Sequence, residues 1–159
     1  PEVAVRNGLT RVARLRRASA QRVGAYRLHL QSRGAIGNLR LEAQAPLSDL
    51  MEAGEVRLDV RAVGLNFRDV LNVLGAYPGD PGPPGGDCAG LVAASWRGEG
   101  TGDAVFGYGT APLASRCLTT EPVIAQKPLA ITFEQASTLP TVWNTVHDSL
   151  RASLARSPE

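Results

Sequence analysis

The stretch Val56-Arg57-Leu58-Asp59-Val60-Arg61-Ala62-Val63-Gly64-Leu65-Asn66-Phe67-Arg68-Asp69-Val70-Leu71 decides how the rest of the chain is read. Its first half alternates apolar Val56, Leu58, Val60 and Ala62 with Arg57, Asp59 and Arg61, the pattern of an antiparallel strand with one face buried. Its second half changes period. Phe67, Val70, Leu71 and Leu74 recur at i, i+3, i+4 and i+7, which predicts a short helix with that apolar stripe packed inward. Asn66 stands where an N-cap belongs, Asp69 favours the first turn, and Gly75 is placed to end the helix. Arg68 and Asp69 are expected to face outward or to pair locally, with little energetic weight. The glycine-rich return that follows, Gly75-Ala76-Tyr77-Pro78-Gly79 and then Gly85-Gly86-Asp87, delivers the Tyr77 phenol to the helix end.

Working outward, Tyr26, Leu28 and Leu30 alternate with Arg27, His29 and Gln31 and predict a second half-buried strand. Further strands are expected at Arg11 to Leu15, Asn38 to Glu42, Ala89 to Ser95, Ala104 to Gly107, Ser115 to Thr119 and Val123 to Gln126. Many short strands with glycine turns indicate a β-dominated barrel or sandwich. Thr132 and Gln135 have capping-box spacing, and Leu139-Pro140 interrupts the helix they start. Beyond the proline, Val142, Val146, Leu150 and Leu154 repeat every four residues and predict a longer amphipathic helix.

The 159 residues are enough for one globular core, and 17 glycines and 11 prolines, clustered between residues 75 and 109, argue for turns. No run approaches the roughly 20 apolar residues of a membrane span, and the first residues lack the pattern of a signal peptide, so a soluble, cytoplasmic protein is expected. The two cysteines, Cys88 and Cys117, are far apart in sequence and read as isolated, small buried hydrophobes. Arginine is concentrated early, at Arg6, Arg11, Arg14, Arg16, Arg17, Arg22 and Arg27. With Tyr26 the only aromatic among them, a strand edge or domain contact fits better than a nucleic-acid surface.

Candidate chemistry is sparse. The Tyr77 phenol could act as a general acid in a closed site, or the ring could simply pack a Pro-Gly loop. Asn66 could cap its helix and do nothing more, or its amide could read a ligand's carboxamide. Cys88, Cys117, His29 and His147 have no metal-ligand spacing, and Ser149 beside His147 reads as one helix face rather than part of a triad. Residues 79–86 are glycine-rich but lack the Lys-Ser or Lys-Thr of a phosphate-binding loop. No Gly-x-Gly-x-x-Gly joins a strand to a helix, and the strand–helix alternation of a parallel sheet is absent.

The chain resembles the enoylreductase domain of modular polyketide synthases, within the medium-chain dehydrogenase/reductase superfamily. The resemblance rests on the opening stretch, on Leu74-Gly75-Ala76-Tyr77-Pro78-Gly79, on Gly102-Asp103-Ala104-Val105-Phe106-Gly107 and on Thr138-Leu139-Pro140-Thr141. It implies a GroES-like, partly open β-barrel with a few short helices, the substrate-binding subdomain over residues 1–140, with residues 141–159 leading towards a Rossmann subdomain. It also implies reduction, with NADPH, of an enoyl thioester on acyl carrier protein, hydride going to the β-carbon and a proton to the α-carbon. Tyr77 matches the tyrosine associated in this family with α-protonation. Asn66 and Thr145 match positions near the nicotinamide.

The departures sharpen those expectations. Zinc alcohol dehydrogenases of the superfamily carry Cys near Asn66 and Gly-His-Glu where this chain has Gly85-Gly86-Asp87, so no metal is expected. Family members usually carry Gly-Glu-Gly-Ala-Gly where this chain has Gly86-Asp87-Cys88-Ala89-Gly90, which leaves Cys88 without an inherited role. Lys127 lies in a strand before Pro128 and is not expected to inherit the role of the family's lysine. Neighbouring synthase domains are the implied partners, with neither nucleic acid nor membrane. With the dinucleotide motif missing, the chain alone is expected to be inactive. The other readings are a catalytically silent docking module of a synthase and a fragment of a zinc-free quinone reductase.

Overall fold

The opening stretch forms the strand and helix on which the domain is built. The computed structural model describes residues 3–6, 9–12, 24–48, 50–98 and 100–154. Within them lie β1 (Val3–Arg6), β2 (Leu9–Val12), β3 (Tyr26–Leu30), β4 (Leu39–Ala43), β5 (Glu55–Val63), β6 (Asp87–Ser95), β7 (Ala104–Tyr108), β8 (Arg116–Thr120) and β9 (Ile124–Gln126), with helices α1 (Phe67–Val73), α2 (Phe133–Ser137) and α3 (Pro140–Leu154). Short 3-10 turns at Ile36–Asn38 and Glu121–Val123 lead into β4 and β9. Of the strand expected at Arg11 to Leu15, only its start coincides with β2; residues 13–15, and Arg14, Arg16, Arg17 and Arg22, lie outside the described residues.

β5 is central to an antiparallel sheet ordered β8-β5-β6-β7-β9. It pairs with β6 from Val56 opposite Ser95 to Val63 opposite Cys88, and with β8 from Glu55 opposite Thr120 to Asp59 opposite Arg116. Register shifts at Arg57/Leu58 and Val60/Ala62 bend the strand, as bulges do. The bend brings the sheet back on itself: Thr110, just past β7, bridges to Leu118 of β8, which leaves a partly open barrel. Val56, Leu58, Val92, Val105, Cys88 and Cys117 fill its interior. The β3–β4 hairpin is held to the barrel by Leu28 N–H donating to Leu113 O and Ser115 N–H donating to Tyr26 O, both at 2.7 Å. Gln44 adds two bonds with the backbone of Arg116.

Helix α1 overturns one expectation. Its buried face is Asp69, Asn72 and Val73, while Phe67 is 75% exposed and Val70 and Leu74 are also exposed. Asp69, expected outside, is 6% exposed. The cause is the loop that follows. Residues 80–85 fold under the helix and present backbone groups that need partners: Gly85 N–H donates to Asp69 Oδ1 (2.7 Å) and Asn72 Nδ2 donates to Gly82 O (3.0 Å). A buried peptide group without a partner costs more than an exposed apolar side chain, so the polar face turns in.

The remaining helices follow their sequence signals. Thr132 and Gln135 form a complete capping box, Gln135 N–H to Thr132 Oγ1 at 3.2 Å and Thr132 N–H to Gln135 Oε1 at 3.0 Å. α2 packs on β5, β6 and β7 and ends at Ser137, and α3 starts at Pro140. α3 touches the barrel at β6 and β7, and Val142, Trp143, Val146 and Leu150 lie exposed along it. No helix among the described residues is long and apolar enough to cross a membrane.

Candidate functional site at the Gly64 corner

The site grows from a backbone contact that only glycine permits. Gly64 N–H donates to Asp87 O (2.9 Å), and a Cβ on Gly64 would lie 2.1 Å from Ser137 O. The end of α2 is thereby seated directly on the corner between β5 and α1. That contact brings the first turn of α3 over Asn66.

Asp87, at the start of β6 and 1% exposed, holds that turn. Its Oδ2 accepts from Thr141 N–H (3.0 Å) and its Oδ1 from the Thr141 hydroxyl (2.7 Å), so one carboxylate takes one of the free backbone donors of the helix start and fixes the adjacent side chain. Asn66 sits in the extended N-cap conformation of α1, where its N–H is taken by Asp69 Oδ2 (2.8 Å). Asn66 and Asp69 form the capping box of α1, in line with the N-cap reading of the sequence. The amide Nδ2 also donates towards Thr141 Oγ1 (3.4 Å), and Thr145 Oγ1 donates to Thr141 O (2.8 Å) one turn further along α3. Asn66 and Thr145 therefore converge on one residue, Thr141. Asp87 was not among the candidate residues of the sequence; the available signal was an acid at the position where the resembling family carries glutamate.

Tyr77 is at the other end of α1, roughly 10 Å along a seven-residue helix. Gly75 takes a φ of +71°, and the helix closes with Ala76 N–H donating to Leu71 O (2.9 Å) and Tyr77 N–H to the same oxygen (3.2 Å). The half-buried ring lies against the Arg68 guanidinium, 5.5 Å from the ring centre, and Arg68 Nη2 donates to Pro81 O (2.6 Å). Arg68, an exposed residue, is thus also a tether between helix and loop. Arg33 adds another, with Nε donating to Asn72 Oδ1 (3.0 Å) and Nη2 to Asp80 Oδ1 (2.8 Å). The Gly82 N–H and Arg33 hold the Asp80 carboxyl below the ordinary carboxylate value.

The loop is not a phosphate cradle. Gly82 N–H is taken by Asp80 Oδ1 (3.0 Å) and Gly85 N–H by Asp69, so these donors point at the protein's own carboxylates. Lys127 is equally occupied: its ammonium donates to Ile131 O (2.6 Å) and Pro128 O (3.0 Å) beside Phe133. Among the described residues no group of three His, Cys, Asp or Glu is placed to hold a metal. A cleft of about 680 Å³ opens elsewhere, between the β3–β4 hairpin, the proline loop and residues 110–118, and touches neither Asn66, Tyr77 nor Thr145.

A partly open barrel whose last helices meet a strand–helix corner at a buried acid matches the GroES-like part of the medium-chain dehydrogenase/reductase superfamily. No family model matches the chain. The phenolphthiocerol synthesis polyketide synthase type I Pks15/1 of Mycobacterium marinum is 36% identical over 159 aligned positions, spanning 91% of this chain and 7% of the synthase. The CurK enoyl reductase structure has a TM-score of 0.67 and 33% identity, over 77% of this chain and 41% of that one. A mycobacterial structure complexed with NADPH has a TM-score of 0.61 and 27% identity, over 72% and 36%. This chain is a polyketide synthase enoylreductase-like region with the GroES-like fold of that superfamily, and it spans well under half of the enoyl reductase structure it matches.

Proposed function

We propose that this region forms the substrate-side wall of an enoylreductase that reduces an enoyl thioester carried on acyl carrier protein, working beside neighbouring synthase domains and without zinc. The observation that carries the reading is the corner at Thr141, where the Asn66 amide of one element meets a Thr141 hydroxyl held by the buried Asp87 carboxylate, with the Thr145 hydroxyl one turn along α3. Those groups fit the carboxamide end of a nicotinamide; the described residues offer no site for its phosphates. Asn66 and Thr145 would hold that end, and NADPH, when bound, would supply the hydride.

The chain's own residues would orient and protonate. Asp87 positions Thr141, Thr141 receives the Asn66 amide, and Phe67 with Val142 offers apolar surface beside that corner that would exclude water. Tyr77, held against Arg68 at the far end of the same helix, would deliver the proton to the α-carbon as the β-carbon is reduced. In the complete enoylreductase, Tyr77→Phe should slow turnover or scramble the configuration of an α-methyl product. Unchanged rate together with unchanged α-stereochemistry removes Tyr77 from the chemistry. The 159-residue chain by itself should show no NADPH-dependent reduction of a crotonyl thioester.

A further inference from the structure

Cys88 and Cys117, distant in sequence and expected to be isolated, are neighbours in the barrel. Cys88 is the second residue of β6, opposite Gly107 of β7, and Cys117 lies in β8 opposite Leu58 of β5. Gly109 runs between them: a Cβ there would stand 2.8 Å from the Cys117 sulfur and 2.9 Å from the Cys88 sulfur. The two sulfurs can be no further apart than those two distances combined, with no side chain between them at that point. Both cysteines are free and buried. Cys117, 2% exposed, forms part of the wall of the 680 Å³ cleft, whereas Cys88 is fully buried behind it.

We propose that Cys88 and Cys117 are a peroxide-oxidisable dithiol that closes to an intramolecular disulfide through the hairpin-side cleft. One sulfur attacks the O–O bond of hydrogen peroxide, which breaks to release one water and leaves a sulfenic acid; the second sulfur then displaces a second water and forms the S–S bond. Two thiols are oxidised and one peroxide is reduced to two waters, with both thiol protons leaving in the waters. The contact between the thiols divides the labour. The hydrogen bond from Cys117 eases deprotonation of Cys88, while the same bond and burial push the Cys117 thiol up. Only a thiolate is strongly nucleophilic, so Cys88 is the sulfur that must meet the peroxide, which has to pass Cys117 at the cleft wall to reach it. The bond would tie β6 to β8, the strands on either side of β5, and would stiffen the strand that carries Asp87.

The test uses the folded 159-residue chain, whose only two cysteines are these. After exposure to hydrogen peroxide, unfolding and alkylation, peptide mapping should find both thiols lost together in one Cys88–Cys117 linked peptide, in monomeric protein, reversible by dithiothreitol. Thiols that remain alkylatable, oxidation of a single cysteine to sulfinic acid, or a bond between two chains overturns the proposal. Gly109→Ala, which sets a methyl against both sulfurs, should slow linkage severalfold in protein whose circular dichroism matches the parent. Linkage at the parental rate in that folded variant refutes the geometry.

Discussion

Removing the Asp87 carboxylate should detach α3 before it unfolds the barrel. Asp87 accepts two bonds from Thr141, at 3.0 and 2.7 Å, and is itself 1% exposed. Hydrogen bonds to a charged acceptor contribute about 1.5–3 kcal/mol each, and Thr141 is only partly buried, so water recovers some of its loss in the variant. Asp87→Ala is therefore expected to cost about 3–5 kcal/mol, a large share of the roughly 5–15 kcal/mol that holds a domain together. Asp87→Asn keeps the volume and one acceptor: its oxygen takes the Thr141 N–H, and its amide donates to a hydroxyl that must turn round. That swap should cost about 1–2 kcal/mol.

Urea unfolding measures the totals, and the double-mutant cycle with Thr141→Val isolates the side-chain bond, for which coupling of about 0.5–3 kcal/mol is expected. Hydrogen exchange separates local from global effects. Beyond its first turn α3 leaves Trp143, Val146 and Leu150 exposed, so amides from 141 onward should lose protection in Asp87→Ala while those of β5 and β6 keep theirs. An Asp87→Ala chain within about 1 kcal/mol of the parent, with α3 protection intact, would refute the assignment of Asp87 as the residue that positions this corner.

Gly64→Ala should destabilise severely, because its Cβ would meet Ser137 O at 2.1 Å and backbone on both sides must shift; a soluble variant with parental urea midpoint would contradict that contact. Phe67→Ser and Trp143→Ser, at positions 75% and 70% exposed, should change the stability of the chain by no more than about 0.5 kcal/mol but lower its self-association in sedimentation velocity. Asp80 gives an acid-side signature. Its folded value lies below the ordinary carboxylate value because of the Gly82 N–H and then Arg33, so its contribution is complete above that ordinary value and fades as pH falls through the lower one. Asp80→Asn should flatten that part of the stability profile, and an unchanged acid limb would show that the exposed pair has no weight.

Most strands were legible because alternation carries its own direction: Val56 and Leu58 are buried and their neighbours are not, and the register with β6 and β8 follows from which residues must face in. Helix ends were legible for a similar reason, since Thr132 with Gln135 and Gly75 act through their own backbone neighbourhood. The pairing of Cys88 with Cys117 had no local signal. It arises from closure of the barrel at Thr110 and Leu118, a contact between segments distant in sequence from Cys88.

Helix α1 shows where periodicity stops being sufficient. A stripe at i, i+3, i+4 and i+7 places Phe67, Val70 and Leu74 on one face but says nothing about which face the fold covers. That choice fell to Asp69 and Asn72, whose side chains meet the Gly85 N–H and the Gly82 carbonyl of the following loop. The consequence is an apolar face turned outward at one end of which sits the Asn66–Thr141 corner and at the other Tyr77. An inward stripe would have buried the helix and left its ends without a common surface. The polar contacts under α1 are thus what leave Phe67, Val70 and Leu74 open to solvent between the corner and Tyr77. Replacing Asn72 by leucine tests this: the Gly82 carbonyl is left with Arg33 Nη2 alone and Arg33 Nε loses its acceptor, which should loosen the loop and with it Tyr77, while the Asp87-held corner stays ordered. If instead the Thr141 and Tyr77 regions lose amide protection together, the two ends belong to one cooperative unit and the separate anchoring argued for them is wrong.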